Sequence, residues 1–87
     1  MSENKPHLTP RELQVLTLMG NSYHNKDIAE LLGISEHTAK FHVNSVIVKS
    51  GQSTRLGAVI FYLKADVIKL DSLMLNIDSI PEPVPNA

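Results

Sequence analysis

An all-α fold, a four-helix bundle with an additional C-terminal helix, is predicted by three features of this 87-residue sequence. Apolar residues recur at helical spacing in five separate stretches. Capping residues precede these stretches (Thr9, Asn25 and Ser35), and glycines close them at positions 20, 33 and 51. No stretch reads as a pair of strands. The length suits one domain and leaves no room for a second core.

Residues 1–7 read as a flexible polar leader. The first helix opens at "LTPRELQVLTLMG". Thr9 suits the N-cap, Pro10 the first helical position, and Glu12 the return bond of a capping box. Leu8 is placed to staple onto Leu13. Leu13, Leu16 and Met19 form its stripe with Val15 at the edge, and Gly20-Asn21-Ser22 ends it. The second helix, "NKDIAELLG", has Asn25 as its expected cap, Asp27 in the first turn and Gly33 as its left-handed stop. Its buried side is Ile28, Leu31 and Leu32, and Ala29 permits close approach of another helix. Gly33-Ile34-Ser35 then leads to a third helix, capped by Ser35 and running from Glu36 to about Ser50. Two helices joined by so short a turn must cross steeply, so the bundle holds a central helix-turn-helix. A fourth helix is expected from near Thr54 to about Val67, with Leu56, Val59, Ile60, Leu63 and Val67 inward. Residues 69–80 place Leu70, Leu73, Met74, Ile77 and Ile80 at helical spacing, an amphipathic extension. Residues 81–87 (PEPVPNA) carry three prolines and read as a disordered tail.

The third helix carries the functional signal. Each residue turns the helix by about 100°. Ala39, Val43, Val46, Ile47 and Ser50 then share one face, suited to packing on the first two helices. His37, Lys40, Phe41, Asn44 and Val48 share a second face. Thr38, His42, Ser45 and Lys49 form a hydrophilic strip between them. A helix that displays such a face suits a DNA major groove. Lys40 can donate to guanine O6 or N7, Asn44 can pair with adenine, and Phe41 or Val48 can touch a thymine methyl. Thr38, Ser45, His42 and Lys49 can donate to phosphates, contacts that hold register rather than read sequence. Taken singly, the two lysines are ordinary solvated residues, and Phe41 and Val48 could fill a wider core. The joint pattern of two helices, a short turn and three distinct faces is what favours DNA.

Other chemistry finds little support. The chain has no cysteine, so disulfides, thiolate metal sites and cysteine nucleophiles are excluded. His37 and His42 stand about 140° apart on a helix, which is not chelating geometry. His7 and His24 lie in loops without a carboxylate array. No nucleophile elbow, phosphate loop or paired-acid motif occurs, so neither an enzyme nor a cofactor is expected. No apolar run reaches membrane-spanning length, and the polar N-terminus lacks a signal-peptide core. A cytoplasmic protein is expected. The net charge of −1 argues against indiscriminate nucleic-acid binding. Its distribution is uneven: residues 1–64 balance at +2 and residues 65–87 at −3.

At "LTPRELQVLTLM", "NKDIAELLGISEHTAKFHV", "KSG" and "TRLGAV" the chain resembles the DNA-binding domain of the LuxR/FixJ/NarL family, over residues 8–68. The resemblance implies a bacterial transcription regulator whose third helix enters the major groove of double-stranded DNA. The family's base-reading positions fall on Lys40, Phe41 and Asn44. Its phosphate-anchoring positions fall on Thr38, His42 and Lys49, and more weakly on Asn25 and Lys26. The fourth helix is the family's usual dimer contact, which would place Ala58, Tyr62 and Ala65 at a homodimer interface. Nucleoid association follows from the same resemblance.

Several positions depart from the family pattern. Ser22 replaces a preferred glycine. Ala39 is smaller and Phe41 larger than usual, so that one could offset the other. Val48 stands at a position that is commonly charged, Ser50 replaces an apolar residue and is expected to thin the core, and Gly57 replaces the glutamate of a capping box, so the fourth helix is expected to fray at its start. Family members commonly carry a receiver or ligand-sensing domain upstream. None precedes this domain here, which suggests either a standalone regulator or a part of a larger protein. The acidic extension could pack on its own domain, cover or extend the dimer surface, or contact RNA polymerase. The alternative function is a protein-interaction module that keeps the fold with little DNA affinity, anchored by Phe41 and Val48.

Overall fold

The computed structural model describes residues 7–69. The leader up to residue 6 and the extension and tail from residue 70 lie outside the described residues. Four helices follow in order: α1 (Pro10–Gly20), α2 (Asn25–Leu32), α3 (Glu36–Ser50) and α4 (Arg55–Lys64). No strand occurs among the described residues. Helix α3 is central and packs against α1, α2 and α4, while α1 also meets α4.

Capping chemistry sets most boundaries. Thr9 Oγ1 accepts from the Glu12 amide at 3.0 Å, and Glu12 Oε1 accepts from the Thr9 amide at 2.9 Å, closing the expected capping box. Ser35 Oγ accepts from the Thr38 amide at 3.0 Å to start α3. Gly33 and Gly51 stop α2 and α3 with φ of 68° and 76°, the left-handed conformation that glycine adopts without steric cost. Helix α2 departs from expectation. Its N-cap is His24, whose amide donates to Asp27 Oδ2 at 3.4 Å, and Asn25 is already its first residue.

The Gly57 departure does not fray α4. Thr54 Oγ1 accepts from the Gly57 amide at 3.0 Å and caps the helix. A β-carbon at Gly57 would stand 3.0 Å from that same Oγ1 and 3.3 Å from Gln52 Cβ, so the missing side chain leaves room for the cap. Ser50 also does more than thin the core. It is buried, its hydroxyl donates to the Ile47 carbonyl at 2.6 Å, and it accepts from the Gln52 amide at 3.1 Å, sealing the end of α3.

Ser22 keeps the turn that a glycine would make. It takes φ of 70°; its amide donates to Met19 O, and the Tyr23 amide to Leu18 O, the paired bonds of a Schellman stop. Asp66 does the same at the end of α4, with φ of 64°, so that helix stops at Lys64 rather than near Val67. A serine in this conformation carries steric strain of about 1–2 kcal/mol, partly offset by its smaller unfolded-chain entropy. Ser22→Gly is expected to stabilise the domain by about 0.5–1 kcal/mol. Chemical denaturation should show a higher midpoint at an unchanged slope.

The core is formed by Val15, Leu16, Leu18 and Met19 of α1, Ile28 and Ala29 of α2, Ala39, Val43 and Val46 of α3, and Val59 and Tyr62 of α4, closed by Ile68. Two helical faces differ from expectation. On α1, Leu18 is buried and Leu13 is exposed. On α4, Ala58, Val59 and Tyr62 point inward, whereas Leu56 is 69% and Ile60 41% exposed. Helix α4 is apolar almost all round, so periodicity does not mark its inner side; the surfaces of α1 and α3 select small Ala58 and the long Tyr62 ring. Tyr62 Oη then donates to the Val46 carbonyl at 3.4 Å. This placement corrects two of the three expected dimer contacts: Ala58 and Tyr62 are fully buried in their own domain, whereas Ala65 is half-buried at the cap of α4 and keeps part of its surface.

Candidate nucleic-acid interface

Fifteen residues make α3 the longest of the four helices, and its three faces separate as the 100° rotation requires. Ala39, Val43, Val46 and Ser50 are buried, with Ile47 half-buried beside them. Lys40, Asn44 and His37 are exposed, and so are the apolar Phe41 (67%) and Val48 (74%). Phe41 therefore does not fill space beside Ala39, and the two departures do not offset each other. The Phe41 ring instead meets the half-buried His42 ring edge-on, with centroids 5.8 Å apart and planes at 66°.

The strip between the two faces is largely engaged within the domain. Thr38 is half-buried, and its Oγ1 accepts from Ser35 Oγ at 2.9 Å. Ser45 Oγ donates to Glu12 Oε2 at 2.6 Å. A hydroxyl has one proton, so Ser45 in this arrangement has none for a phosphate. This corrects the role expected of it. Lys49 Nζ lies 2.8 Å from Glu12 Oε1 and 3.2 Å from the His7 carbonyl, which leaves one of its three donors.

Glu12 is the centre of this arrangement. It is only 6% exposed, yet it accepts from Thr9, Ser45 and Lys49, linking α1 to α3. Burial raises the pKa of its carboxyl. The hydrogen bonds from Lys49, Ser45 and the Thr9 amide, with the Lys49 charge, outweigh burial and hold it at about 2, below an ordinary 4.5. Burial, aided by the Glu12 charge, pushes the Tyr62 phenol up. The local sequence places Glu12 in the cap of α1 and does not show this tie between helices. A signal was present: Glu12 stands four residues before Leu16 and seven before Met19, on the buried stripe of α1.

Lys26 is exposed on the first turn of α2, and Asn25 is half-buried before it. The Arg55 guanidinium donates to the Tyr23 carbonyl at 2.9 Å through Nη1 and to Asn25 Oδ1 through Nη2. Local sequence carries no sign of this contact, which spans thirty positions. Among the described residues no three of His, Cys, Asp and Glu converge to hold a metal, and no helix is long and apolar enough to cross a membrane.

A capped helix pair joined by the short turn Gly33-Ile34-Ser35, with its second helix displayed in this way, defines a helix-turn-helix protein of the DNA-binding type. The family model for bacterial regulatory proteins of the luxR family matches residues 6–62. The transcriptional regulatory protein YxjL of Bacillus subtilis (strain 168) is 39% identical over 61 residues, 70% of this chain and 28% of that protein. The nitrate/nitrite response regulator protein NarP of Escherichia coli (strain K12) is 40% identical over 57 residues, 66% of this chain and 26% of that protein. The solved structure of the transcription factor GerE superposes with a TM-score of 0.64 at 37% identity, covering 68% of this chain and 88% of that one. This chain belongs to the luxR family of bacterial regulatory proteins. The family is one of transcription regulators, not of enzymes. The chain spans roughly a quarter of the length of the curated relatives it matches.

Proposed function

We propose that this chain binds double-stranded DNA sequence-specifically as a homodimer and regulates transcription from the bound site, with α3 in the major groove. The observation that carries the reading is the outer face of α3: Lys40, Phe41 and Asn44 stand in solvent while the opposite face is packed away. Lys40 donates to guanine, Asn44 pairs with adenine, and Phe41 meets a thymine methyl. Lys26, Asn25, Thr38, His42 and the remaining Lys49 donor hold the phosphates. The protein acts in the bacterial cytoplasm, at the nucleoid, and the acidic C-terminal segment is a candidate contact for RNA polymerase. Selection of random duplexes at low salt tests the reading. A defined, enriched site supports it; equal retention of all sequences, or none, refutes it.

Dimerisation belongs to the outer face of α4, where Leu56 and Ile60 are exposed, rather than to Ala58 and Tyr62. A symmetric pair would read half-sites about 34–36 Å apart, one duplex turn. Leu56→Asp is expected to leave the domain folded, with the helical circular dichroism of the wild type, because Leu56 is exposed in the single domain. In sedimentation it should shift dimer to monomer, and on a two-half-site duplex it should abolish cooperative binding.

The second reading, a protein-interaction module, draws on the same exposure of Phe41 and Val48, which are large apolar side chains in water. It predicts that no duplex is selected and that Phe41→Ala and Val48→Ala disrupt a protein complex instead.

A further inference from the structure

We infer that Arg55 is a positioning residue for DNA binding: by taking the Asn25 carbonyl oxygen it turns the Asn25 amide N–H outward, to donate to a backbone phosphate. The inference rests on the DNA-binding reading above and adds a residue on α4 that touches neither base nor phosphate.

The argument begins with donor inventory. A guanidinium only donates, so the atom of Asn25 facing Arg55 Nη2 must be Oδ1. The side-chain amide is planar, and its Nδ2 then points away from Arg55. Among the described residues Nδ2 has no hydrogen-bond partner, and no buried side-chain nitrogen or oxygen is left unpartnered. Nδ2 is therefore open to solvent. The second arm of the fork holds the Tyr23 carbonyl, so Arg55 grips the chain on both sides of His24, the N-cap of α2. Burial lowers the Arg55 pKa, but a guanidinium stays charged at physiological pH.

The surroundings suit an anion. Asn25 is the first residue of α2, whose first-turn amides lack helical partners, and the ammonium of Lys26 is exposed beside it. The acid of that turn, Asp27, is turned back onto the His24 amide. A lysine at position 55 would keep the charge but lose the fork that spans two acceptors.

The test is a double-mutant cycle of duplex affinity on the selected site, with circular dichroism confirming that each variant is folded at the temperature used. Asn25→Ala and Arg55→Lys are each expected to weaken binding about ten-fold, alike on matched and mismatched duplexes. The double substitution Asn25→Ala/Arg55→Lys should bind like Asn25→Ala by itself. Asn25→Asp keeps an acceptor for Arg55 and thus the melting temperature, but it loses the donor, so its affinity should fall by at least as much. Additive losses in the cycle, or wild-type affinity in Asn25→Asp, overturn the inference and leave the DNA reading intact. A wild-type chain that retains no duplex overturns both.

Discussion

Glu12→Gln is expected to cost the fold about 2–3 kcal/mol near neutral pH and to flatten its stability between about pH 5 and pH 2. The carboxyl titrates at about 2 in the folded protein against an ordinary 4.5, so the unfolded chain takes up the proton first as pH falls. The group's contribution is complete above the unfolded value and disappears as pH drops through the folded one. At about 1.4 kcal/mol per unit the full shift corresponds to roughly 3 kcal/mol. That is a large share of the few kcal/mol that stabilise a domain of this size. Glutamine keeps one acceptor oxygen, which can serve the Thr9 amide, and puts its NH2 group beside Ser45, whose hydroxyl can then accept instead of donate, so the loss reports chiefly the charge facing Lys49. Urea unfolding at a series of pH values measures both parts. A wild-type profile that is level from pH 5 to pH 2, or a glutamine variant that follows the same slope, would contradict the assignment.

Lys40→Ala should lower affinity for the selected duplex by about 1–3 kcal/mol and relax base preference at one position of each half-site. Affinity for non-specific duplex should change much less, since that depends on phosphate contacts. Lys49→Ala makes the informative comparison. If its last donor reaches a phosphate, affinity falls equally on all sequences and the salt slope drops by about one per monomer. If Lys49 serves Glu12 alone, the loss is in urea stability and the slope is unchanged. Binding isotherms at several salt concentrations, on matched and mismatched duplexes, separate the two. A Lys40→Ala loss that is the same on every sequence would remove Lys40 from base reading.

Much of this molecule is legible in one dimension because its boundaries are local chemistry. Thr9 with Glu12, Ser35 with Thr38, and the left-handed Gly33 and Gly51 each involve residues within one turn of one another. The faces of α3 are legible for a related reason. Its small apolar residues and its polar ones lie on different sides, so rotation alone separates Ala39, Val43 and Val46 from Lys40, Phe41 and Asn44. The cap of α2 falls on His24, one residue before the expected Asn25, because both residues are polar and the choice depends on backbone angles.

Where a helix offers no contrast, local rules have nothing to act on. Helix α4 reads RLGAVIFYLK, apolar on almost every side, and only contact with α1 and α3 selects Ala58, Val59 and Tyr62 for the interior over Leu56 and Ile60. The same holds for polar ties between distant positions. Ser45 and Lys49 look like free donors until α1 brings Glu12 to them across 33 and 37 positions. Arg55 looks like a surface charge until the chain folds back to Tyr23 and Asn25. Secondary structure and the displayed face of α3 follow from neighbours in the chain. The inner side of α4 and the partners of the buried charges follow from neighbours in space, because a polar group taken out of water must find whichever partner the packing of helices brings within reach.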